Sequence, residues 1–266
     1  MAIGLGGATR RSWGSSRTSA PARGRARTRP EPPDPADPTD PAERPRRPRA
    51  VLVDVYGTLL HVEALRRRFL DVGRPEHEYD LVLARALRDS TGLALAGTPA
   101  SFAEVLGEAV RAVAGPTVSD DAVDHVVSGM HDLPRHPDAE PALAVLARSR
   151  IPAWAMAQGS GAHTTGALDG NGLRSFLRGT VATDDLTAVP PQREAYRLAC
   201  AAARIEPSTT AFVSSQPYLV HGAMRAGLVG ALVLRGDARR PATLPAPHAC
   251  GTTLVTAVEA LLALPA

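Results

Sequence analysis

The sequence predicts an α/β fold in which a parallel sheet carries helices on both faces and further helices are inserted after the first strand. The apolar runs 51–53, 151–157, 210–213 and 230–234 are short and bounded by turn residues, which is typical of buried strands. The longer segments between them carry apolar residues at i, i+3 and i+4, which is typical of amphipathic helices. Alternation of such strands and helices favours a parallel sheet.

Residues 1–48 are predicted to form a disordered tail rich in Arg and Pro. They show no hydrophobic periodicity, so they offer too little apolar surface to offset the loss of chain entropy on folding. Residues 1–50 hold 11 Arg against 5 acids, a charge of +6, whereas the whole chain carries +3. The remainder is therefore mildly acidic, and we expect no nucleic-acid partner for it.

Length and composition indicate a globular protein with a sizeable core. The chain has 266 residues, of which 44% are hydrophobic. Cys200 and Cys250 offer neither a disulfide framework nor the spacing of a metal site. No apolar run approaches the roughly 20 residues that span a bilayer, and no apolar stretch follows the N-terminal arginines. We therefore expect a cytoplasmic protein without a membrane partner.

Asp54 is the residue around which the chemistry is predicted to be organised. It follows the apolar run 51–53 and precedes a turn at Gly57, which places it at the carboxyl end of a buried strand. Ligands of open parallel sheets bind just beyond those ends. A carboxylate at such a place is a candidate nucleophile, and the alternative is an Asp that only starts a turn.

Four amphipathic helices are predicted within residues 63–134. Ser101 and Ser119 have the character of N-caps, and Gly92 and Gly115 that of helix stops. The arginines at 66–68 either face an anionic ligand or form a solvated helix surface.

The segment DVYGTL at residues 54–59 resembles the first motif of the haloacid dehalogenase (HAD) superfamily. Most members of that superfamily are Mg-dependent phosphatases with a second Asp two residues after the nucleophile, where this chain has Tyr56. The form D-x-Y-G-T is similar to the L-2-haloacid dehalogenase branch, which displaces halide without a metal. The resemblance implies a Rossmann-like, HAD-like core at 49–62 and 135–266, a helical cap at 63–134, and no cofactor, with Mg²⁺ as the alternative.

The second motif of the resemblance is degenerate. The family's hydroxyl, which binds an anionic oxygen of the substrate, falls on Ala157, and the family's Asn falls on Gln158. Gly159 and Ser160 match. Ser160 or Thr164 would supply a hydroxyl only after a shift of register or backbone.

The third motif lacks its cation. The family's Lys falls on Pro190, and the chain contains no Lys anywhere. In the family this charge neutralises the nucleophile and the charge that builds in the transition state. Arg178 or Arg193 could replace it in charge, although Arg presents a planar fork instead of a point charge.

The fourth motif keeps its hydroxyls and loses its acid. Ser214 and Ser215 match the family, Gln216 replaces Asn, and Tyr218 replaces Trp. The final Asp, which helps to activate water in the dehalogenases, falls on Leu219. Asp184 and Asp185 follow the short strand predicted at 176–182 and either offer replacement carboxylates or only form a turn or helix cap after that strand.

The resemblance implies a hydrolase, and the missing groups leave its turnover open. The main hypothesis is a HAD-like protein that is catalytically impaired or non-catalytic. Alternatives are a metal-independent 2-haloacid dehalogenase-like hydrolase with Arg substitutes, a Mg-dependent phosphatase, and another hydrolase that recruits His163 or His221. The partners left open are a small anionic molecule and a second copy of the chain in a homodimer. The predicted catalytic residues are Asp54, Tyr56, Thr58, Ser214 and Ser215. The predicted substrate-binding residues are Gln158, Gly159, Ser160, Arg193 and Gln216, and no metal ligand is predicted.

These hypotheses differ in what should surround Asp54. A working hydrolase predicts that Asp54, Tyr56, Ser214 and an Arg converge on one small pocket. A binding protein predicts that Ala157, Pro190 and Leu219 close the pocket with apolar surface.

Overall fold

The computed structural model describes residues 45–98, 100–236 and 238–266. The tail predicted at 1–48 lies outside these residues except for its last four. No helix among the described residues has the length and apolar character that crossing a membrane requires.

A six-stranded, fully parallel sheet forms the centre of the fold, as predicted. Its spatial order is β3-β2-β1-β4-β5-β6, so β1 lies between β2 and β4. The strands are β1 (Ala50–Asp54), β2 (Ala153–Ala157), β3 (Thr180–Ala182), β4 (Thr210–Ser214), β5 (Val229–Val233) and β6 (Ala249–Gly251). Because the strand order reverses beside β1, the carboxyl ends of β1 and β4 border the crevice where such sheets bind ligands.

The side chains on the two faces of the sheet belong to two separate hydrophobic clusters. Successive side chains of a strand point to opposite faces, so Val51 and Val53 enter one cluster while Leu52 enters the other. The first cluster is covered by α5, α6 and α9, and the second by α7 and α8. These helices span Ala139–Arg148 (α5), Gly161–Gly170 (α6), Arg193–Ala203 (α7), Pro217–Arg225 (α8) and Leu254–Leu262 (α9).

Four α-helices lie between β1 and α5, as the apolar spacing predicts. They span Arg66–Asp71 (α1), Glu78–Leu95 (α2), Phe102–Ala114 (α3) and Asp120–Ser128 (α4). Short 3₁₀ turns at Val62–Leu65 and Gly129–His131 precede and follow them. Their apolar faces pack with the residues that follow β1 in the larger core cluster. We refer to residues 62–131 as the cap helices.

The predicted N-caps are confirmed, and one predicted stop is wrong. The Ser101 hydroxyl accepts from the Glu104 backbone in a full capping box, and the Ser119 hydroxyl accepts from the Ala122 backbone. Gly115 ends α3 at a positive φ of 85°. Helix α2, however, continues through Gly92 to Leu95, because the left-handed residue that terminates it is Gly97 at φ 76°.

Two strands differ from the sequence prediction. Residues 176–182 were expected to be one strand, but Arg174–Phe176 is a 3₁₀ turn and β3 occupies Thr180–Ala182 alone. The edge strand β6 was not predicted, since its three residues, Ala249–Gly251, carry no recognisable apolar run.

Candidate functional site

The site is built where β1 and β4 end side by side. Asp54 is the last residue of β1, and Ser214 is the last residue of β4. Beyond Asp54 the chain turns back sharply at Gly57, whose φ of 79° favours glycine. This turn returns Thr58 to the Asp54 carboxylate.

Two hydroxyl groups hold the Asp54 carboxylate. Thr58 Oγ1 donates to Asp54 Oδ2 at 2.8 Å, and Ser214 Oγ donates to the same oxygen at 2.7 Å. The described residues supply no side-chain donor to Oδ1, so that oxygen is the one left for attack on a ligand. The carboxylate is therefore oriented by its partners before any ligand binds.

Burial makes Asp54 more basic than an ordinary aspartate. Only 6% of the residue is exposed. Desolvation raises its pKa from 3.8 to about 6, although hydrogen bonds from Ser214, Thr58 and the Val55 backbone act in the opposite direction. The group is still mostly ionised at neutral pH, and it is poorly solvated, which favours nucleophilic attack.

The two hydroxyl groups are themselves fixed by the backbone that follows β4. The Ser215 N–H donates to Thr58 Oγ1 at 2.9 Å, and the Gln216 N–H donates to Ser214 Oγ at 2.9 Å. Each hydroxyl oxygen thus accepts from the main chain while its proton points to Asp54. This arrangement directs the Ser214 proton to the carboxylate, whereas the Thr58 hydroxyl has a second, longer contact at 3.2 Å with Ser215 Oγ.

Arg235, which follows β5, braces the turn that carries Thr58. Its guanidinium donates to the carbonyls of Gly57 and Thr58 and forms a two-pronged ion pair with Asp138, with both Asp138 contacts at 3.1 Å. Asp138 also accepts from the Leu254 backbone at 2.7 Å. Burial acts to raise the pKa of Asp138, but these hydrogen bonds outweigh it and keep that pKa below its ordinary value. Arg235 is therefore engaged on the outer side of the turn. We call this group the Arg235 clamp.

An apolar cavity of about 60 Å³ lies between Asp54 and the cap helices. Eleven of its lining residues are Val, Leu, Phe or Met, and the others are Asp54, three tyrosines and two glutamines. Asp54 is the only charged residue among them. The lining residues are Asp54, Tyr56, Val62, Leu65, Phe69, Tyr79, Val82, Leu83, Leu87, Phe102, Leu106, Val126, Met130, Gln158, Gln216, Tyr218 and Leu219.

Tyr56 links the cavity to helix α6. Its hydroxyl lies 3.4 Å from Thr164 Oγ1, and Thr164 is fully buried. The pKa of Tyr56 is raised by burial and by the charges of Asp184 and Asp54, with the Thr164 contact acting against them. Tyr56 is thus a neutral phenol that can donate or accept a hydrogen bond.

A second, more open cleft of about 300 Å³ adjoins the cavity. Gly159, Asp184 and Ser101 are among its lining residues, and Phe102 and Gln158 line both spaces. Asp184 follows β3 at the same edge of the sheet as Asp54, as expected from the sequence. Burial, followed by the charges of Asp185 and Glu104, raises the pKa of Asp184.

Comparison with known proteins assigns this architecture. A family model described as haloacid dehalogenase-like hydrolase matches residues 48–227. The chain belongs to this hydrolase family. The resemblance inferred from motif I is thereby confirmed.

Similar proteins include dehalogenases. The chain is 28% identical over 179 residues to (S)-2-haloacid dehalogenase 1 from Pseudomonas sp. (strain CBS-3), which covers 65% of this chain and 79% of that protein. The structure of L-2-haloacid dehalogenase from Xanthobacter autotrophicus with covalently bound chloropropionic acid aligns with a TM-score of 0.73 at 22% identity, over 79% of this chain and 97% of the other. The magnesium-bound putative HAD-hydrolase YfnB from Bacillus subtilis aligns with a TM-score of 0.65 at 16% identity, over 82% and 100%. These structural matches establish a shared fold.

Most predicted site residues of this HAD-like chain come together. Asp54, Thr58, Ser214 and Ser215 form one hydrogen-bonded group. Tyr56, Gln158 and Gln216 line the adjoining cavity.

The remaining predicted residues do not line that cavity. Gly159 faces the second cleft, Ser160 is the N-cap of α6, and Arg193 begins α7. Arg178 is exposed and precedes β3, which places it at the amino edge of the sheet, opposite Asp54. Arg178 therefore cannot replace the missing Lys.

The residues of this family member do not fit a magnesium ion. Mg²⁺ takes hard oxygen ligands, usually with one or two carboxylates. Asp54 is the only carboxylate on the cavity wall, and its Oδ2 already accepts two hydroxyl hydrogen bonds. Across the described ranges, no group of three His, Cys, Asp or Glu is placed to hold a metal.

Sequence reasoning missed the cap residues that form most of the cavity and the Arg235 clamp. Phe69, Leu106 and Val126 lie on the apolar faces of amphipathic helices, whose pattern does not separate cavity-lining from packed positions. Arg235 lies in no motif of the resemblance. Its position soon after the strand at 230–234 is the one signal that could have drawn attention to it.

Proposed function

We propose that the chain is a metal-independent hydrolase of dehalogenase type whose turnover is impaired at its second step. In the first step, Asp54 Oδ1 attacks an sp³ carbon of a small halogenated molecule. A carbon–oxygen bond forms, the carbon–halogen bond breaks, and the halide leaves with the bonding electron pair. The product is an ester of Asp54.

The observation that carries the proposal is the state of Asp54 itself. The carboxylate is buried and oriented by Thr58 and Ser214, its pKa is about 6, and it borders a cavity large enough for a small molecule. A turn residue without chemistry has no need of this costly environment, because a buried and mostly ionised carboxylate destabilises the fold.

The second step requires water to add to the ester carbonyl, release the alcohol and regenerate the carboxylate. Leu219 occupies the cavity wall where the resemblance places the acid that activates this water. Among the described residues, Asp54 is the one carboxylate on the wall, and it is the group that becomes esterified. Ester hydrolysis therefore lacks a general base, and such a base typically contributes 10²–10⁴-fold.

Intact-protein mass spectrometry after exposure to 2-bromopropionamide and 2-bromopropionate tests this proposal. Peptide mapping should place one adduct on Asp54, absent from Asp54→Asn, and the adduct should persist for many times its formation time. Addition of a chelator should change neither the rate at which the adduct forms nor the rate at which it decays. A protein that shows no adduct on Asp54, or one that turns over rapidly only with Mg²⁺, contradicts the proposal.

Leu219→Asp provides a second test of the slow step. It supplies a carboxylate at the position that the family uses, so decay of the Asp54 ester should accelerate by at least tenfold. Leu219→Asn is the matched control, because asparagine has the size of aspartate but carries no charge. Equal ester lifetimes in these two variants would place the defect elsewhere.

The second candidate function is non-catalytic binding of a small apolar molecule. The largely hydrocarbon wall, closed at one side by Leu219, supports it. In that case ligands protect the fold against unfolding to the same extent in wild type and Asp54→Asn, and no adduct forms.

A further inference from the structure

We infer that the cavity over Asp54 selects an uncharged molecule and excludes a carboxylate. The part of this inference that concerns halogenated substrates rests on the proposed function. The part that concerns ligand binding does not depend on that function. The observations that carry the inference are a cavity wall on which the described residues place no cation, and the acids that lie near the N-terminus of α6.

The described residues of the cavity wall supply one negative charge and no positive charge to balance a second one. Asp54 is the only charged residue among the seventeen that line it, and the polar remainder consists of Tyr56, Tyr79, Tyr218, Gln158 and Gln216. Glutamine and tyrosine can hydrogen-bond an amide, ketone or hydroxyl group, but they cannot neutralise a carboxylate.

The arginines of the cap helices are paired with acids outside the cavity. All seven arginines within residues 62–131 have a carboxylate partner within 4.0 Å. The three at 66–68, which the sequence left open as anion ligands, pair with Asp80, Asp71 and Asp132. Arg235 is held in its clamp on the outer side of the turn.

Two helices begin near the cavity, α8 and α6. The first residue of α8, Pro217, has no N–H, and the Gln216 N–H before it already donates to Ser214 Oγ. Helix α6 begins at Gly161, after β2, and Asp185 Oδ2 lies 3.4 Å from the position that a Cβ of Gly161 would take. A helix N-terminus attracts anions, and the Asp185 carboxylate of the protein already lies beside that of α6. Asp184 and Glu104 add further negative charge on that side.

Electrostatic repulsion then decides between charged and neutral ligands. Two carboxylates about 5 Å apart at an effective dielectric constant of about 20 repel each other strongly enough that a bound carboxylate would force Asp54, with its pKa of about 6, to take up a proton, which weakens binding by about 30-fold at pH 7.5. Desolvation of the second charge adds to this effect. An isosteric amide suffers neither penalty and gains hydrogen bonds from Gln158 or Gln216.

The volume restricts the ligand to a small molecule. A water-sized sphere occupies roughly 10–15 Å³ on this measure, so a cavity of about 60 Å³ holds the equivalent of a few waters. A three-carbon halogenated amide or a short haloalkane is of that size. Larger molecules would have to extend into the adjoining cleft of about 300 Å³.

The first experiment compares two isosteric reagents, 2-bromopropionamide and 2-bromopropionate, at pH 7.5. The rate of Asp54 alkylation is measured for each and divided by the rate with free acetate, which removes the difference in intrinsic reactivity. We expect the amide to exceed the acid by at least about 100-fold after this correction. The thiol of Cys250 is exposed and would also be alkylated by these reagents, so peptide mapping is used to locate each adduct. The measurement is repeated in the Cys250→Ser variant, which lacks this second alkylation site.

The second experiment separates ligand charge from reactivity. Isobutyramide and isobutyrate have the shape of the two reagents but lack the halogen, and their binding is measured by ligand-observed NMR. Wild type at pH 7.5 should bind the amide at least about 30-fold more tightly than the acid. Asp54→Asn removes the only charge of the wall and should bring the two affinities within about tenfold.

The outcomes distinguish this inference from the proposed function. Tight binding of isobutyramide without alkylation of Asp54 by either reagent supports selection for neutral ligands and refutes the hydrolase proposal. Binding of isobutyrate by wild type as tight as that of the amide, failure of both to bind, or equal corrected alkylation rates overturns the inference.

Discussion

Asp54→Asn is expected to stabilise the fold at neutral pH and to have little effect in acid. Folding raises the pKa of Asp54 from 3.8 to about 6 because the carboxylate is removed from water. Below 3.8 the side chain is protonated in both the folded and the unfolded state. As pH rises through about 6 it ionises in the folded state as well, so the stability held by the protonated form is lost.

The magnitude follows from the two pKa values. The difference between 3.8 and about 6 corresponds to about 3 kcal/mol at roughly 1.4 kcal/mol for each tenfold change. Asparagine keeps an oxygen that can accept from Thr58 and Ser214, so the hydrogen bonds at Oδ2 are preserved while the charge is removed. The advantage of the variant over wild type should therefore grow by about 2.5 kcal/mol between pH 4 and pH 8, because the unfolded chain is already partly ionised at pH 4.

Urea unfolding of both proteins at several pH values between 4 and 8, followed by circular dichroism, measures this difference. In thermal unfolding it corresponds to a gap in Tm of about 5–10 °C, since 1 kcal/mol shifts Tm by about 2–4 °C for a chain of this size. Other groups that titrate in this range cancel because both proteins contain them. Asp169→Asn, an exposed acid on α6, is the matched control.

A difference between wild type and Asp54→Asn that stays constant from pH 4 to pH 8 would refute the reasoning. It would mean that Asp54 ionises in the folded state as easily as in the unfolded chain. The claims that the carboxylate is desolvated and unusually basic would then both fail.

Three further predictions concern the frame around the site. Arg235→Met should lower the free energy of unfolding by about 3 kcal/mol, because it leaves Asp138 partly buried without its partner; an additive effect of Asp138→Asn in a double-mutant cycle would contradict the ion pair. Gly222→Ala should cost about 2–3 kcal/mol, because its Cβ would lie 2.5 Å from a backbone oxygen. Gly166 lies on α6, and a Cβ there would meet open space, so Gly166→Ala should instead stabilise the fold by about 0.5–1 kcal/mol. Equal effects of Gly222→Ala and Gly166→Ala would contradict the close packing at Gly222. The buried Tyr79 hydroxyl has no hydrogen-bond partner among the described residues. In chemical denaturation, Tyr79→Phe should therefore leave the free energy of unfolding unchanged or raise it by up to about 1 kcal/mol. A loss of more than about 1 kcal/mol would show that the hydroxyl does have a partner.

The parts of the site that were predictable are those written in short stretches of sequence. Residues 54–58 and 214–216 each lie at the end of a strand, and parallel pairing brings such ends to one edge. Once the strands were recognised, the meeting of Asp54 with Ser214 followed. The N-caps Ser101 and Ser119 were equally local, since each bonds to a backbone group three residues later.

The parts that failed depend on contacts between distant elements. Arg178 seemed a substitute for Lys in charge alone, but its place before β3 sets it at the opposite edge of the sheet. Gly92 is of a residue type that often ends helices, yet α2 continues past it. The residue that terminates α2 is Gly97, which adopts the left-handed conformation. The cavity wall depends on how four cap helices pack, and amphipathic periodicity gives the direction of a face but not its neighbour.

The distance along the chain between Asp54 and Ser214 gives the site a definite place in the order of folding. The two residues are 160 positions apart, and their hydrogen bond exists only once β4 has paired with β1. Contacts between such distant residues form late, because the intervening chain must first be ordered or enclosed as a loop. During synthesis, Asp54 emerges long before Ser214 and remains an ordinary solvated aspartate until β4 arrives. Reactivity at Asp54 would thus report on completion of the central sheet.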